Sequence, residues 1–427
     1  MELAILLGTL VLLMMIGVPV AISLGAASLV TLFALDIPLV VGFQRMAASM
    51  NIFALLAIPF FVFAGDLMHR AGIAERLIRL AEAALGQTQG GLGQVGVGSS
   101  MMFGAVSGSA IASASAIGSA LGPIMWEKKY DRDYIVNVTA TSAVTGLLIP
   151  PSHNMIIYAA AAGVSISLAD LFLAGVFPGI LTGILLMIAS YLVARSRNYP
   201  KGVFPGWSAL CLSMLGAIPG LIAALIIVLG VLSGVFTPTE SAGIAVFYTV
   251  IVALLIYRSL SWRQFQAAVT SSVKTTAMVM FVIGAAGAFG WLLALLEAPL
   301  YLANILQGVT ENPLALLLLI NLVLLVLGTF MDMAPLIIIA TPIFLPLATQ
   351  LGMDPVQFGV MLILNLGIGL VTPPVGAVLF VACAIGKLSV EATVRTIWPF
   401  YCALLFALLA VIYVPALTLW LPDIATQ

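Results

Sequence analysis

The side chains best placed to do chemistry in this sequence gather in two runs of small polar residues, each followed by a double proline. The first run, "GAVSGSAIASAS" (104–115), carries Ser107, Gly108, Ser109, Ser113 and Ser115, and its partner is "GLLIPPSHN" (146–154). The second, "GTFMDMAP" (328–335), carries Thr329, Met331, Asp332 and Pro335, and its partner is "GLVTPP" (369–374). Proline has no amide proton, so a helix that meets Pro150-Pro151 or Pro373-Pro374 loses two donors and unwinds. Nearby carbonyls, among them those of Gly146, Ile149, Gly369 and Thr372, are freed. Bare carbonyls and hydroxyls at the ends of half-helices suit a hard cation such as Na⁺, and the N-terminal ends favour an anion. Each pair of motifs is expected to build one cation site, with a cargo held between the two.

Simpler roles compete. Serine and glycine in apolar helices often serve close packing alone. Asp332 can cap a helix whose first turn holds Pro335, a role compatible with ion binding, because a carboxylate deep in lipid is costly enough to make function the default. His153 stands between Ser152 and Asn154, and a packing role and a contact to cargo are both open. Gly108, Ser152, His153, Asn154 and Pro374 are the candidate substrate contacts. Asp66 and Glu240 read as structural. Cys211, Cys383 and Cys402 are isolated, no C-x-x-C or H-E-x-x-H occurs, and neither a disulfide framework nor a metal cofactor is expected.

The elements that must position these residues follow from composition. Of 427 residues, 63% are hydrophobic and 7% charged, against roughly 45–50% and roughly 25% in soluble domains. Lipid must therefore be the solvent for most of the chain. A net charge of −1, without a basic patch, argues against nucleic acid. Apolar stretches run at about 3–34, 52–68, 93–125, 134–164, 170–194, 213–235, 239–257, 274–296, 313–349, 355–386 and 397–421. A crossing takes about 20 residues. The expected class is an all-α polytopic membrane protein with about 11 membrane segments. The N-terminus lacks a basic signal-peptide region and reads as a retained first span. Short polar or amphipathic pieces lie at 38–50, 70–86, 261–273 and 298–311. In 74–85, Leu77, Leu80 and Ala84 share a stripe away from Arg76, Arg79 and Glu82, as in a helix on the membrane surface.

Stretches 93–125 and 313–349 are too long for one crossing and too short for two. Each reads as a re-entrant hairpin, tolerable where protein or a wet cavity covers it. With a cytoplasmic N-terminus and hairpins that return to their own side, every basic residue except Arg45 falls at a cytoplasmic end, as the positive-inside bias requires. The C-terminus is then periplasmic.

The halves echo each other at a spacing near 223 residues: Gly146 to Pro151 matches Gly369 to Pro374, Gly104 matches Gly328, Gly163 matches Gly386, Pro178 matches Pro399 with a slip, and 38–50 matches 261–273. In this threading the matched parts lie on opposite faces, giving an inverted-topology repeat. The first repeat is 1–210 (hairpin about 93–125, broken helix about 134–164) and the second 211–427 (hairpin about 313–349, broken helix about 355–386), with a scaffold mainly from 1–68, 170–194, 213–296 and 397–421.

"LLAIPFFVFAG" (55–65), "GGLG" (90–93), "GAVSGSAIASASAIGS" (104–119), "IPPS" (149–152) and "NLGIGLVTPPVGAVLFVACAIG" (365–386) together resemble the large membrane subunit of tripartite ATP-independent periplasmic (TRAP) transporters, the DctM-like family, over essentially the whole chain. Ala112-Ser113-Ala114 and His153-Asn154 depart from that pattern, which bears on substrate. The resemblance implies Na⁺-driven import of an organic acid (a C4-dicarboxylate, a sugar acid or a similar carboxylate) across the bacterial inner membrane by an elevator mechanism. It implies a periplasmic substrate-binding protein and a small four-helix membrane subunit as partners. It places one cation site at Ser107, Ser109, Gly146, Ile149 and Pro151, and the other at Gly328, Met331, Asp332, Gly369 and Thr372. The alternatives are a stand-alone ion-coupled anion carrier and, disfavoured, an intramembrane enzyme. Asp332 has no partner carboxylate in its motif and His153 is the one buried base, so catalysis has little to work with.

Overall fold

Proline, glycine and hydropathy together set where each helix starts and stops. The computed structural model describes residues 1–298, 300–301, 308 and 312–425, so most of the 298–311 piece lies outside the described residues. Among the described residues the chain is helical, with one isolated backbone bridge between Gln89 and Lys201.

The first apolar stretch is two helices, α1 (Glu2–Met15) and α2 (Val20–Ala34), packed against each other. Gly17 turns the chain at φ +88° and Pro19 precedes the new helix, which is why 3–34 does not continue as one element. α3 (Leu39–Met50) ends at Asn51, and a short 3-10 turn (Phe53–Leu56) leads into α4 (Ala57–Arg70). Asp66 of α4 pairs with Arg70 at 3.0 Å, the structural role expected of it. α5 (Ile73–Leu85) is amphipathic, but its apolar face lies against neighbouring helices. That face is Ile73, Ala74, Leu77, Ile78 and Ala81; Ala84 is exposed, not on the stripe as expected.

Next come the first hairpin, α6 (Gly91–Ser107) and α7 (Ala110–Glu127), and the first broken helix, α8 (Arg132–Ser142), α9 (Thr145–Leu148) and α10 (His153–Ala161). The broken segment bends by 53°. The arms of the hairpin run back alongside each other: a methyl on Gly96 would sit 3.4 Å from Leu121 and 3.0 Å from Val138 of α8. α11 (Leu168–Ser196) and α12 (Trp207–Leu232) follow. Arg197 grips Asp133 at 2.7 and 2.8 Å and Asp131 at 3.1 Å, and the Tyr199 hydroxyl donates to Asp131 at 2.6 Å. These bonds tie the start of α8 to the end of α11. Burial and the bond to Asp131 push the Tyr199 phenol up to about 12.

α13 (Pro238–Ile251) opens with a capping box. The Glu240 amide donates to Thr237 Oγ1 at 3.3 Å, and the Glu240 carboxylate accepts from the Thr237 amide at 2.8 Å. Glu240 is therefore structural, as read from its position. α14 (Trp262–Leu295) is one helix of 34 residues. The 261–273 piece is thus not a separate element like its counterpart α3, because no Asn, Gly or Pro stands between Trp262 and Ile283 to end it as Asn51 ends α3.

The second hairpin is α15 (Pro313–Phe330) and α16 (Met333–Gln350), followed by the second broken segment, α17 (Pro355–Gly369) and α18 (Ala377–Gly386). α19 (Val390–Val394), α20 (Trp398–Tyr413) and α21 (Ala416–Ala425) close the fold, with α20 and α21 bent by 56° at Pro415. Among the described residues seven helices are long and apolar enough to cross a membrane, or nine when each bent pair is one span. The sequence stretches numbered about eleven.

The two hairpin regions interlock crosswise. α10 packs on α16, the returning arm of the second hairpin, and α18 packs on α7, the returning arm of the first. α2 and α3 pack instead on α14, which touches the interlocked part through α16, and α4 packs on α14 and also directly on α6 and α10.

Candidate functional site

At the first hairpin tip, α6 ends and Gly108 takes φ +61°, its amide donating to the Gly104 carbonyl at 2.7 Å. This left-handed turn is what glycine makes without strain. Ser109 then caps α7, its Oγ accepting from the Ala112 amide at 3.3 Å, while the Ser109 amide reaches Ser107 Oγ at 3.5 Å. Both hydroxyls thus sit at the tip with acceptor capacity left.

The tip rests on the proline break. Gly104 and Gly146 meet backbone to backbone, so that a methyl on Gly146 would come within 2.6 Å of Gly104 Cα. A methyl on Gly108 would lie 3.1 Å from the Pro151 carbonyl oxygen and 3.3 Å from the His153 amide nitrogen. In a regular helix the Gly146 and Leu147 carbonyls would accept from residues 150 and 151. Both of those are proline, and among the described residues the carbonyls of Gly146 and Ile149 accept no hydrogen bond. Ser107, Ser109, Gly146, Ile149 and Pro151 are therefore brought to one neighbourhood. Gly108, Ser152, His153 and Asn154 belong to it as well. Ser152 is fully buried, and among the described residues its hydroxyl has no partner. A buried unpaired hydroxyl costs about 1–3 kcal/mol, so it marks a place where a polar guest is useful. Ser113, one turn along α7, is also buried and unpartnered, whereas Ser115 is exposed.

The second tip is built on the same contact with different finish. Gly328 and Gly369 touch, with 2.6 Å between a methyl on Gly369 and the Gly328 carbonyl carbon. Asp332 caps α16, its Oδ1 accepting from the Met333 amide at 2.9 Å. The capping role is observed, and the carboxylate is exposed. The Val375 amide donates to the Thr329 carbonyl at 3.1 Å, tying tip to break, and Thr372 Oγ1 donates to the Ile368 carbonyl at 2.7 Å. The carbonyls of Gly328, Met331 and Thr372 accept no hydrogen bond among the described residues, but that of Gly369 accepts from the Thr372 amide at 3.0 Å. Pro374 is exposed at the edge of this loop.

Sequence reading missed several supports. Gly65 of α4 backs Ser107 so closely that a methyl on Gly65 would sit 3.2 Å from Ser107 Cα. A methyl on Gly179 of α11 would lie 2.6 Å from the Ile149 side chain, and Gly175 abuts the Leu148 carbonyl. The four-residue spacing of Gly175 and Gly179 is the small-residue signal that marks a close helix approach. Tyr401 braces the second break by donating to the Val371 carbonyl at 2.7 Å. Asn365 donates to the carbonyl and side-chain oxygens of Asn321 at 2.8 and 2.9 Å. In the first half a Ser100–Ser142 bond of 2.9 Å joins the equivalent helices.

Neutral oxygens thus dominate both neighbourhoods. No group of three or more His, Cys, Asp or Glu able to hold a metal is found among the described residues. Carbonyl and hydroxyl oxygens suit hard ions better than transition metals.

Comparison with known proteins bears on what passes through this site. Residues 7–417 match the family model described as "Tripartite ATP-independent periplasmic transporter, DctM component". The chain is 37% identical over 98% of its length to an isethionate TRAP transporter permease, DctMQ, of Oleidesulfovibrio alaskensis, and spans 66% of that protein. It is 36% identical to the C4-dicarboxylate TRAP transporter large permease DctM of Vibrio cholerae, over 96% of this chain and 95% of the other. Among solved structures it is similar to the Alcanivorax borkumensis YdaH transporter, with a TM-score of 0.61 at 14% identity over 87% of each chain. That likeness concerns the fold.

Proposed function

This chain belongs to the DctM family of TRAP transporters, as a multi-pass large permease and not an enzyme, and we propose that it imports a small organic anion by Na⁺ coupling. The observation that carries this reading is the repeated contact of a hairpin tip with a proline-broken helix, Gly104 on Gly146 and Gly328 on Gly369. At the first contact hydroxyl oxygens lie beside the Gly146 carbonyl, which proline has deprived of its helical donor, and at the second a carboxylate lies beside the Gly328, Met331 and Thr372 carbonyls, which accept no hydrogen bond among the described residues. One Na⁺ is held at Ser107, Ser109, Gly146, Ile149 and Pro151. A second is held at Gly328, Met331, Asp332 and Thr372, with Gly369 contributing its remaining lone pair.

The cargo sits between the two sites, near Gly108, Ser152, His153, Asn154 and Pro374. The relatives' names include a sulfonate and a dicarboxylate, so its class is a small organic acid. Its anionic group is met by the N-terminal ends of α7 and α10, where unpaired amides carry partial positive charge. The crosswise interlocking of the hairpins and broken helices supports their moving as one body against a scaffold, as an elevator requires, within two inverted repeats divided near residue 210. The protein sits in the bacterial inner membrane with its N-terminus cytoplasmic and C-terminus periplasmic. A periplasmic binding protein delivers the acid and a small four-helix subunit braces the permease.

The test is uptake into proteoliposomes holding this chain and its small subunit. Uptake is expected to need both an inward Na⁺ gradient and the cognate binding protein. Uptake by this chain alone would favour the stand-alone carrier, and indifference to Na⁺ would overturn the coupling.

A further inference from the structure

Away from the hairpin tips, a cavity opens at the joint between α5, the N-terminus of α6, the end of α7 and the loop 197–206 that enters α12. Its volume is about 500 Å³. Arg79, Lys128 and Lys201 line it, with Glu82 as the single acidic group, so its walls carry two net positive charges (three minus one). Lys128 reaches Glu82 at a loose 3.8 Å. Arg79 spends Nε on the Glu75 carbonyl at 3.3 Å, and no ion pair to Arg79 or Lys201 occurs among the described residues. Two of the three cations are thus uncommitted, and the cavity has the size of a small-ligand site.

Its setting is that of a membrane surface. The loop joins two candidate spans that end at Ser196 and begin at Trp207. Around the cavity mouth Val203 is 89% exposed and Trp207 75% exposed, and Trp207 meets Phe204 edge to face at 5.4 Å. On the α7 side Trp126 is exposed beneath the Arg132 guanidinium at 3.9 Å. Tryptophan at this level is typical of the lipid headgroup zone. A basic cavity with an apolar, aromatic rim matches an amphiphile better than a free ion.

We infer that this cavity binds a phosphate-bearing anion, presented as the headgroup of an anionic phospholipid whose chains run along the exposed face of α12. Arg79 and Lys201 contact the phosphate, and Lys128 exchanges Glu82 for it. Bound there, the lipid bridges α5 and α12 to the base of the first hairpin. This inference does not depend on which ion or acid is transported.

The test follows the thermal stability of the purified protein in mixed micelles, with phosphatidylglycerol, with phosphatidylcholine, or with inorganic phosphate added. Phosphatidylglycerol is expected to raise Tm above the phosphatidylcholine value, and inorganic phosphate to leave it unchanged. The Arg79→Gln/Lys201→Gln double variant should lose the preference, with affinity falling about fivefold per charge removed. If that variant does not fold, Lys128→Gln alone is read in the same way. Full stabilisation by inorganic phosphate would overturn the lipid source. An undiminished phosphatidylglycerol preference in the variants would overturn the site.

Discussion

The two hairpin tips share one plan and differ in finish. Ser109 and Asp332 occupy equivalent positions, each capping the returning helix. Around Ser109 the chain is closed: Ser107, Gly108, Gly146, Pro151 and Ser152 are buried. Around Asp332 it is open, with Asp332, Pro374 and Val375 exposed. A cation at the first tip is offered neutral oxygens in a mostly buried setting, with Ser109 and Ile149 half-buried. A cation at the second is offered a carboxylate that stays hydrated until something covers it. Packing therefore limits the first site and charge the second.

The largest effects should come from the glycine contacts that both tips share. Gly146→Ala and Gly369→Ala each force a methyl to 2.6 Å from partner backbone. Overpacking of this kind costs about 1–3 kcal/mol, so uptake should fall by roughly 5- to 150-fold. Gly328→Ala meets Gly369 Cα at an ordinary 3.4 Å and should cost uptake less than about threefold. Initial uptake rates, normalised to the amount of folded protein, check the order. Equal damage from all three would remove the backbone contact as the cause.

Next in size is the charge at the open tip. Asp332→Ala should lower uptake about tenfold and raise the Na⁺ concentration for half-maximal rate, the scale of one charge-assisted contact of roughly 1.5 kcal/mol. Asp332→Asn keeps a good cap and should recover stability without recovering Na⁺ affinity. Wild-type Na⁺ dependence in Asp332→Asn would reduce this carboxylate to a cap. At the closed tip, Ser109→Ala removes a cap worth about 1 kcal/mol, so Tm should drop by a few degrees with a smaller change in Na⁺ dependence than Asp332→Ala gives.

The smallest effect is expected far from both tips. Glu240→Ala breaks the capping box of α13 and should cost about 1 kcal/mol in stability, with Na⁺ dependence unchanged. A shifted Na⁺ response there would show that stability loss alone mimics a site defect.

How far the sequence told this story depends on which force sets each feature. The proline breaks were legible because a missing amide proton is a property of the residue itself: Pro150-Pro151 and Pro373-Pro374 lie where the helices stop. The turns at Gly108 and Asp332 were legible for the same local reason. Recapture of the Gly369 carbonyl by the Thr372 amide was not, since it depends on how the loop closes after the break. Nor was the split of 3–34, where hydropathy stays high across Gly17 and Pro19 and masks the turn. Gly65, Gly175 and Gly179 escaped because their partners lie far along the chain. An apolar sequence carries little contrast to say which small residue meets which.

The most direct test is a cryo-EM map of this chain with its small subunit in nanodiscs containing Na⁺, at a resolution that shows coordinating oxygens. Both tips, at residues 107–109 and 331–332, are expected to end inside the bilayer. Ion density is also expected against the Gly146 and Ile149 carbonyls and beside Asp332. Arms that cross the bilayer completely, or ordered carbonyls at both breaks with no ion in Na⁺ and the same map in K⁺, would contradict this.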